Sequence, residues 1–169
     1  MEKKTTAKKS SNAERAASNQ LARFIRNGGH PNIDIKKTND PTIFYFMFKG
    51  LEGEYSTGVY LGELKILDKF PFVPPRVTMR TPTGVYPLNT DNFCISIGHY
   101  HPNDYMPGLG IDGFIRCILS GMEHWAELGN GINLLTTTSE VQTANIAQLA
   151  TSSIEYNNIH NRHILALFE

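Results

Sequence analysis

This sequence has few cysteines, a single tryptophan and no net charge. Its 169 residues include two cysteines and one tryptophan, and 16 basic residues balance 16 acidic ones. Two cysteines cannot build a disulfide framework, so we expect a reducing location in which Cys94 is a free thiol. A balanced charge gives no general attraction to polyanions, and we expect no nucleic-acid partner.

Long apolar runs are also missing. No stretch approaches the roughly 20 apolar residues that span a bilayer, and the N-terminus lacks the apolar run of a signal peptide. We therefore expect no membrane span in this chain and a cytoplasmic location, with the nucleus also open. The length fits one domain. We assign residues 1–11 to a basic, flexible tail and residues 12–169 to the domain, and we expect a monomer.

Periodicity predicts an α+β fold. Ser11 and Glu14 have the spacing of a capping box, which predicts a first helix over about 12–27. Alternating and β-branched segments then predict a four-stranded antiparallel meander at about 32–37, 42–50, 58–67 and 76–81. Three prolines within 68–76 exclude a central strand there and predict a rigid bend. A long loop follows, then a buried helix over about 111–124, then a C-terminal helical region with a break near 150–156.

The long loop contains "NFCISIGHYHPND" at 92–104, which combines Cys94 with two histidines. A structural zinc site needs four ligands, usually in close pairs. Cys94, His99 and His101 are close together in the sequence, but no close pair of cysteines completes the four ligands, so we expect no metal. A buried structural thiol and a catalytic nucleophile both remain open, because an accessible, activated thiol cannot be recognised from composition.

The motifs around this loop resemble those of the ubiquitin-conjugating enzymes. Residues 71–75 (Pro-Phe-Val-Pro-Pro) match the family's bend, Cys94 its single cysteine, and 105–107 (Tyr-Met-Pro) its aromatic-x-Pro element. Within the family, the sequence is most similar to the J-type, non-canonical branch, which is associated with the endoplasmic reticulum. Residues 81–84 (Thr-Pro-Thr-Gly) and 100–102 (Tyr-His-Pro) resemble that branch's motifs before and after the cysteine. The resemblance covers residues 12–169 and implies the ubiquitin-conjugating fold.

This resemblance implies an acyltransferase that uses no cofactor of its own. An activating enzyme would transfer ubiquitin to Cys94 as a thioester, and an acceptor on a protein substrate would then attack it, with or without a ligase. We hypothesise that Asn89 or Asn92 supports the oxyanion and that His101 acts on the acceptor side. The family's partner surface maps to exposed loops and the first helix, and its candidate residues here are Phe72, Pro107, Gly108, Arg15 and Arg23. Core packing is the alternative for Phe72.

Two departures from the family pattern leave other functions open. Thr83 stands where the family's His-Pro-Asn motif has its asparagine, and the His-Pro-Asn at 101–103 comes after Cys94. Members of the J-type branch usually continue into a C-terminal membrane anchor, so we expect a relative without the anchor or a shortened form. The alternatives are a non-catalytic ubiquitin-binding variant, a conjugating enzyme for another ubiquitin-like modifier and, more distantly, a Cys-His hydrolase.

Overall fold

The computed structural model describes residues 10–91, 105–126 and 139–169 of the chain. Within these ranges four α-helices and four β-strands follow the predicted order. The helices are α1 (Asn12–Arg26), α2 (Gly110–Glu123), α3 (Ser139–His160) and α4 (Arg162–Leu165). The strands are β1 (Ile33–Lys37), β2 (Ile43–Phe48), β3 (Tyr60–Lys65) and β4 (Arg76–Met79). The predicted α+β class is confirmed.

Helix α1 begins as its sequence predicts. The backbone N–H of Glu14 donates to Ser11 Oγ, and the backbone N–H of Ser11 donates to Glu14 Oε2, both at 3.1 Å. This reciprocal pair satisfies two N–H groups that the first turn would otherwise leave without partners. The apolar stripe is buried at helical spacing by Ala13, Ala17, Leu21 and Phe24.

The four strands form one antiparallel sheet in sequence order. In β2, Phe44, Phe46 and Phe48 point to one face and are at most 2% exposed. That face, α1, α2 and the middle of α3 contribute to one apolar cluster. The alternation read from the sequence therefore identifies the buried face of the central strand.

The opposite face of the sheet is partly covered by the C-terminal segment. Met47 on β2 and Leu61 on β3 pack with Ile164 of α4 in a second apolar cluster, to which Leu165 and Phe168 are adjacent. Ile164 is 1% exposed. The sheet is thus packed on both faces, although the second cluster is small.

The predicted break near 150–156 is wrong. Helix α3 continues to His160, and the interruption lies at Asn161. Its polar residues do not end the helix because they bind the sheet: Ser153 Oγ accepts from the Val59 N–H at 2.9 Å, and Asn157 Nδ2 donates to the Val59 carbonyl at 2.8 Å. These two contacts attach α3 to the residue that precedes β3.

Candidate functional site

Three of the predicted site residues, Cys94, Asn92 and His101, lie outside the described residues, as does His99. In the sequence, residues 81–91 precede this segment and residues 105–110 follow it, and both ranges are described. These flanking segments contain the remaining candidates, and their geometry can be compared with the predicted roles.

Thr83 forms part of a buried turn. Its side chain is fully buried, and its Oγ1 accepts hydrogen bonds from the backbone N–H groups of Val85 at 3.0 Å and Tyr86 at 2.9 Å. Such a bond pattern stabilises a tight turn. At the position where the family has asparagine, this chain therefore has a hydroxyl that is occupied by backbone donors.

Asn89 is exposed and lies in the left-handed region with φ 52°. Its backbone N–H donates to the Met79 carbonyl at 2.8 Å, and its Oδ1 accepts from Arg80 Nη1 at 3.1 Å. The predicted oxyanion role of Asn89 stays a prediction. Sequence reasoning did not single out Arg80, although the alternation of β4 extends to it.

Phe72 is 79% exposed, so the alternative of core packing does not hold for its side chain. Phe70, two residues earlier in the same bend, is 3% exposed and belongs to the core. The bend therefore has one aromatic anchor inside and presents the other to solvent. An exposed phenylalanine on a rigid bend has the properties of a binding anchor.

Tyr105 connects the Pro-rich bend to the loop that precedes α2. Its hydroxyl donates to the Pro71 carbonyl at 2.8 Å, and its ring packs edge-on against Phe114 of α2 at a centroid distance of 6.5 Å. Burial raises the pKa of Tyr105 to about 12, so the hydroxyl remains a donor at neutral pH. The two predicted partner loops are therefore joined.

Pro107 and Gly108 are exposed in a short 3₁₀ turn, Pro107–Leu109. Met106 precedes them and is 68% exposed. In the sequence, Met106 is only the middle residue of the aromatic-x-Pro element, and that motif predicts no role for it. Its exposure adds a flexible apolar side chain to this loop, a type of residue that suits adaptable binding surfaces.

Gln20 attaches the start of α2 to α1. Its Oε1 accepts from the backbone N–H of Ile111 at 2.9 Å, which satisfies one free donor of the first turn. Gly110 has φ 78°, and a Cβ there would lie 2.8 Å from Asp112 Oδ1 and 3.4 Å from Arg23 Nη2. This crossing brings Arg23 next to the loop that contains Pro107 and Gly108.

Arg15 is exposed like Arg23 but lies near the other end of α1. Eight residues of helix separate their Cα atoms by about 12 Å. The structure therefore brings Arg23 close to the start of α2, and Arg15 extends the basic side of α1 farther along the helix.

No cluster of three or more potential metal-ligating side chains is present among residues 10–91, 105–126 and 139–169. None of their helices is sufficiently long and apolar to cross a membrane.

No family model matches the chain, but it is similar to curated proteins of one kind. It is 29% identical over 120 residues to ubiquitin-conjugating enzyme E2 34 of Arabidopsis thaliana, with 70% of this chain and 47% of the relative covered. It is 30% identical to human ubiquitin-conjugating enzyme E2 J2, with 68% and 41% covered. The latter match confirms the resemblance to the J-type branch. The chain spans about half the length of the first curated relatives it matches.

Solved structures agree with these similarities. A ubiquitin-conjugating enzyme structure from Plasmodium falciparum is 30% identical, with a TM-score of 0.55, and the match covers 72% of this chain and 92% of that one. The structure of human ubiquitin-conjugating enzyme E2 G1 gives a TM-score of 0.57 at 20% identity, with 69% and 98% covered. The second match concerns the fold alone, and it confirms the fold implied by the sequence motifs.

Proposed function

This chain belongs to the ubiquitin-conjugating enzyme family, and from that membership we propose that it carries ubiquitin as a thioester on Cys94 and transfers it to a protein substrate. The single observation that best supports the proposal is the 30% identity to the Plasmodium falciparum enzyme over 92% of that chain. The position of Cys94 in the family's motif pattern supports its assignment as the nucleophile.

The proposed reaction consists of two acyl transfers. The Cys94 thiolate attacks the thioester carbonyl between ubiquitin and the activating enzyme, and the activating enzyme's cysteine leaves as a thiolate. An acceptor amine or hydroxyl then attacks the new carbonyl, loses its proton, and Cys94 leaves as a thiolate. Both steps pass through an oxyanion that N–H donors stabilise. We assign this support to Asn89 or Asn92, and acceptance of the acceptor's proton to His101.

The proposed partner surface combines the exposed side chains of the two connected loops with the basic side of α1. Phe72 and Met106 are its apolar anchors, Pro107 and Gly108 form the turn beside them, and Arg23 lies at its edge. Tyr105 and Gln20 hold these parts in register. We propose that this surface binds a ubiquitin ligase, and that the activating enzyme and ubiquitin are the other protein partners.

The test of the carrier function is a charging reaction. The protein is mixed with ubiquitin, ubiquitin-activating enzyme and ATP, and the products are separated on a non-reducing gel. We expect an adduct that thiol treatment removes. If folded protein forms no adduct, parallel reactions with other ubiquitin-like modifiers and their own activating enzymes identify a different modifier. Failure of every pair would overturn the proposal.

A non-catalytic ubiquitin-binding variant is the second candidate function. The observation that favours it is the buried Thr83 hydroxyl, which is bonded to two backbone N–H groups where the family has an amide side chain. This variant would bind ubiquitin in a titration and form no adduct in the charging reaction. The charging reaction therefore separates the two candidates, and the titration tests whether a protein that is not charged still binds ubiquitin.

We expect Phe72→Ala to weaken ligase binding about 30-fold or more, because truncating the hot spot of an interface costs about 2 kcal/mol or more. Charging of Cys94 is expected to proceed normally. Binding is measured by calorimetric titration with a panel of ubiquitin ligase domains. Ile159→Ala is the control, because Ile159 is 65% exposed on α3, far along the chain from both loops. Equal affinities of the two variants for every bound domain would remove Phe72 from the surface.

A further inference from the structure

Arg80 connects the sheet to the segment that leads toward Cys94. Its Nη2 lies 2.9 Å from Glu63 Oε2 on β3, and its Nη1 donates to Asn89 Oδ1 at 3.1 Å. Asn89 is five residues before Cys94 in the sequence. One guanidinium thus contacts a strand residue and a loop residue, which is a geometry that the planar group of arginine allows.

The backbone of Arg80 is itself held on two sides. Its N–H donates to the Leu61 carbonyl at 2.8 Å, and its carbonyl accepts from Asn161 Nδ2 at 2.7 Å. The side chains of Arg80 and Glu63 are 31% and 18% exposed. Water therefore competes less for this pair than for a fully exposed one. The Arg80 side chain is therefore held at both ends, by hydrogen bonds of its backbone and by the contacts of its guanidinium group.

Asn89 has two features that require such support. A non-glycine residue at φ 52° is uncommon, although asparagine tolerates this region better than most residues. Its amide group can also rotate to exchange the positions of its oxygen and its NH2 group. A guanidinium only donates hydrogen bonds, so the side that faces Arg80 must be the oxygen. Arg80 consequently directs the two N–H donors of Asn89 away from itself.

We propose that Arg80 is a positioning residue for acyl transfer: it orients the Asn89 amide so that its N–H donors are available to the oxyanion formed at Cys94. The inference rests on the proposed function, since it assigns a role within that reaction. Arg80 acts through Asn89, and Glu63 holds Arg80 in the required position. The fixed donor replaces the amide that Thr83 does not provide.

Arg76 offers a matched control on the same strand. It pairs with Asp91 in the same loop at 3.1 Å, but the two side chains are 46% and 63% exposed. An exposed pair of this kind contributes little, and Asp91 has no N–H donor in its side chain. Arg76→Met should leave transfer unchanged.

The experiment measures single-turnover transfer of ubiquitin from the charged protein to free lysine, with the lysine concentration varied. A single-turnover rate counts only molecules that carry the thioester, so partial unfolding alone does not change it. We expect Arg80→Met to lower the maximal rate about 10–100-fold with the half-saturating lysine concentration unchanged. Arg80→Lys keeps a pure donor but loses the planar group that contacts Glu63 and Asn89 together, so its rate should lie between those of Arg80→Met and the wild type.

Asn89→Asp tests the N–H donors of Asn89 separately from its contact with Arg80. The carboxylate keeps the contact with Arg80 but has no N–H donors, so its rate should fall as far as that of Arg80→Met. The double variant Arg80→Met with Asn89→Asp should be no slower than Asn89→Asp alone, because both changes remove the same donor.

Two results would overturn the positioning role while the carrier function stands: a wild-type rate in Arg80→Met, or additive losses in the double variant. Failure of the wild-type protein to become charged with any modifier is a different result. It would overturn the proposed function, and the positioning role with it.

Discussion

Cys94→Ala is expected to abolish the ubiquitin adduct completely, and Cys94→Ser is expected to change its chemistry. Alanine has no nucleophile, so no acyl bond can form at position 94. Serine would form an oxygen ester, which resists thiol treatment and is released by alkali. The measurement is the charging reaction on non-reducing and reducing gels, each with a sample treated with dilute alkali.

Cys117→Ala is the control for this experiment. Cys117 lies half-buried on α2, and burial raises the pKa of its thiol. A thiol with a raised pKa is protonated at neutral pH and reacts slowly. The Cys117→Ala protein should therefore form as much adduct as the wild type. A thiol-labile adduct on Cys94→Ala, or its loss in Cys117→Ala, would contradict the assignment of the nucleophile.

Asn157→Ala is expected to lower the free energy of unfolding by about 2–4 kcal/mol, because it removes a fully buried side chain that makes three hydrogen bonds. Asn157 Oδ1 accepts from Thr81 Oγ1 at 2.5 Å and from Asn161 Nδ2 at 3.1 Å. Its Nδ2 donates to the Val59 carbonyl at 2.8 Å. The substitution leaves the buried Thr81 hydroxyl, the buried Asn161 amide and the partly buried Val59 carbonyl each short of one partner.

The loss is measured by urea denaturation, and the thermal midpoint should fall by about 5–15 °C for a chain of this size. Asn158→Ala is the matched control on the same turn of α3. Asn158 is exposed and accepts a 3.3 Å hydrogen bond from Arg162, so its replacement should change stability by less than about 0.5 kcal/mol. Similar losses in the two variants would show that the buried network does not stabilise the fold as argued.

Features that depend on neighbouring residues can be predicted without the folded structure. Capping and apolar spacing predicted α1, alternation predicted the four strands and the buried face of β2, and prolines predicted the bend before β4. The motifs of that bend, of Cys94 and of the aromatic-x-Pro element identified the family, which the comparisons confirmed. These signals are local because helical and strand periodicities repeat within a few residues.

Which side chains are buried, and which partners they contact, follows from how the whole chain packs. Phe70 and Phe72 are the same residue type in the same bend, yet one is in the core and the other is 79% exposed. Arg80 finds Glu63 and Asn89 at sequence separations of 17 and 9 residues, and no local pattern links these three positions. Helix α3 runs through the predicted break, and its Ser153 and Asn157 bind Val59 and Thr81, which are distant in sequence. A hydrogen bond depends on where two atoms lie after the chain has packed. Periodicity specifies only the face of the helix or strand on which each side chain lies.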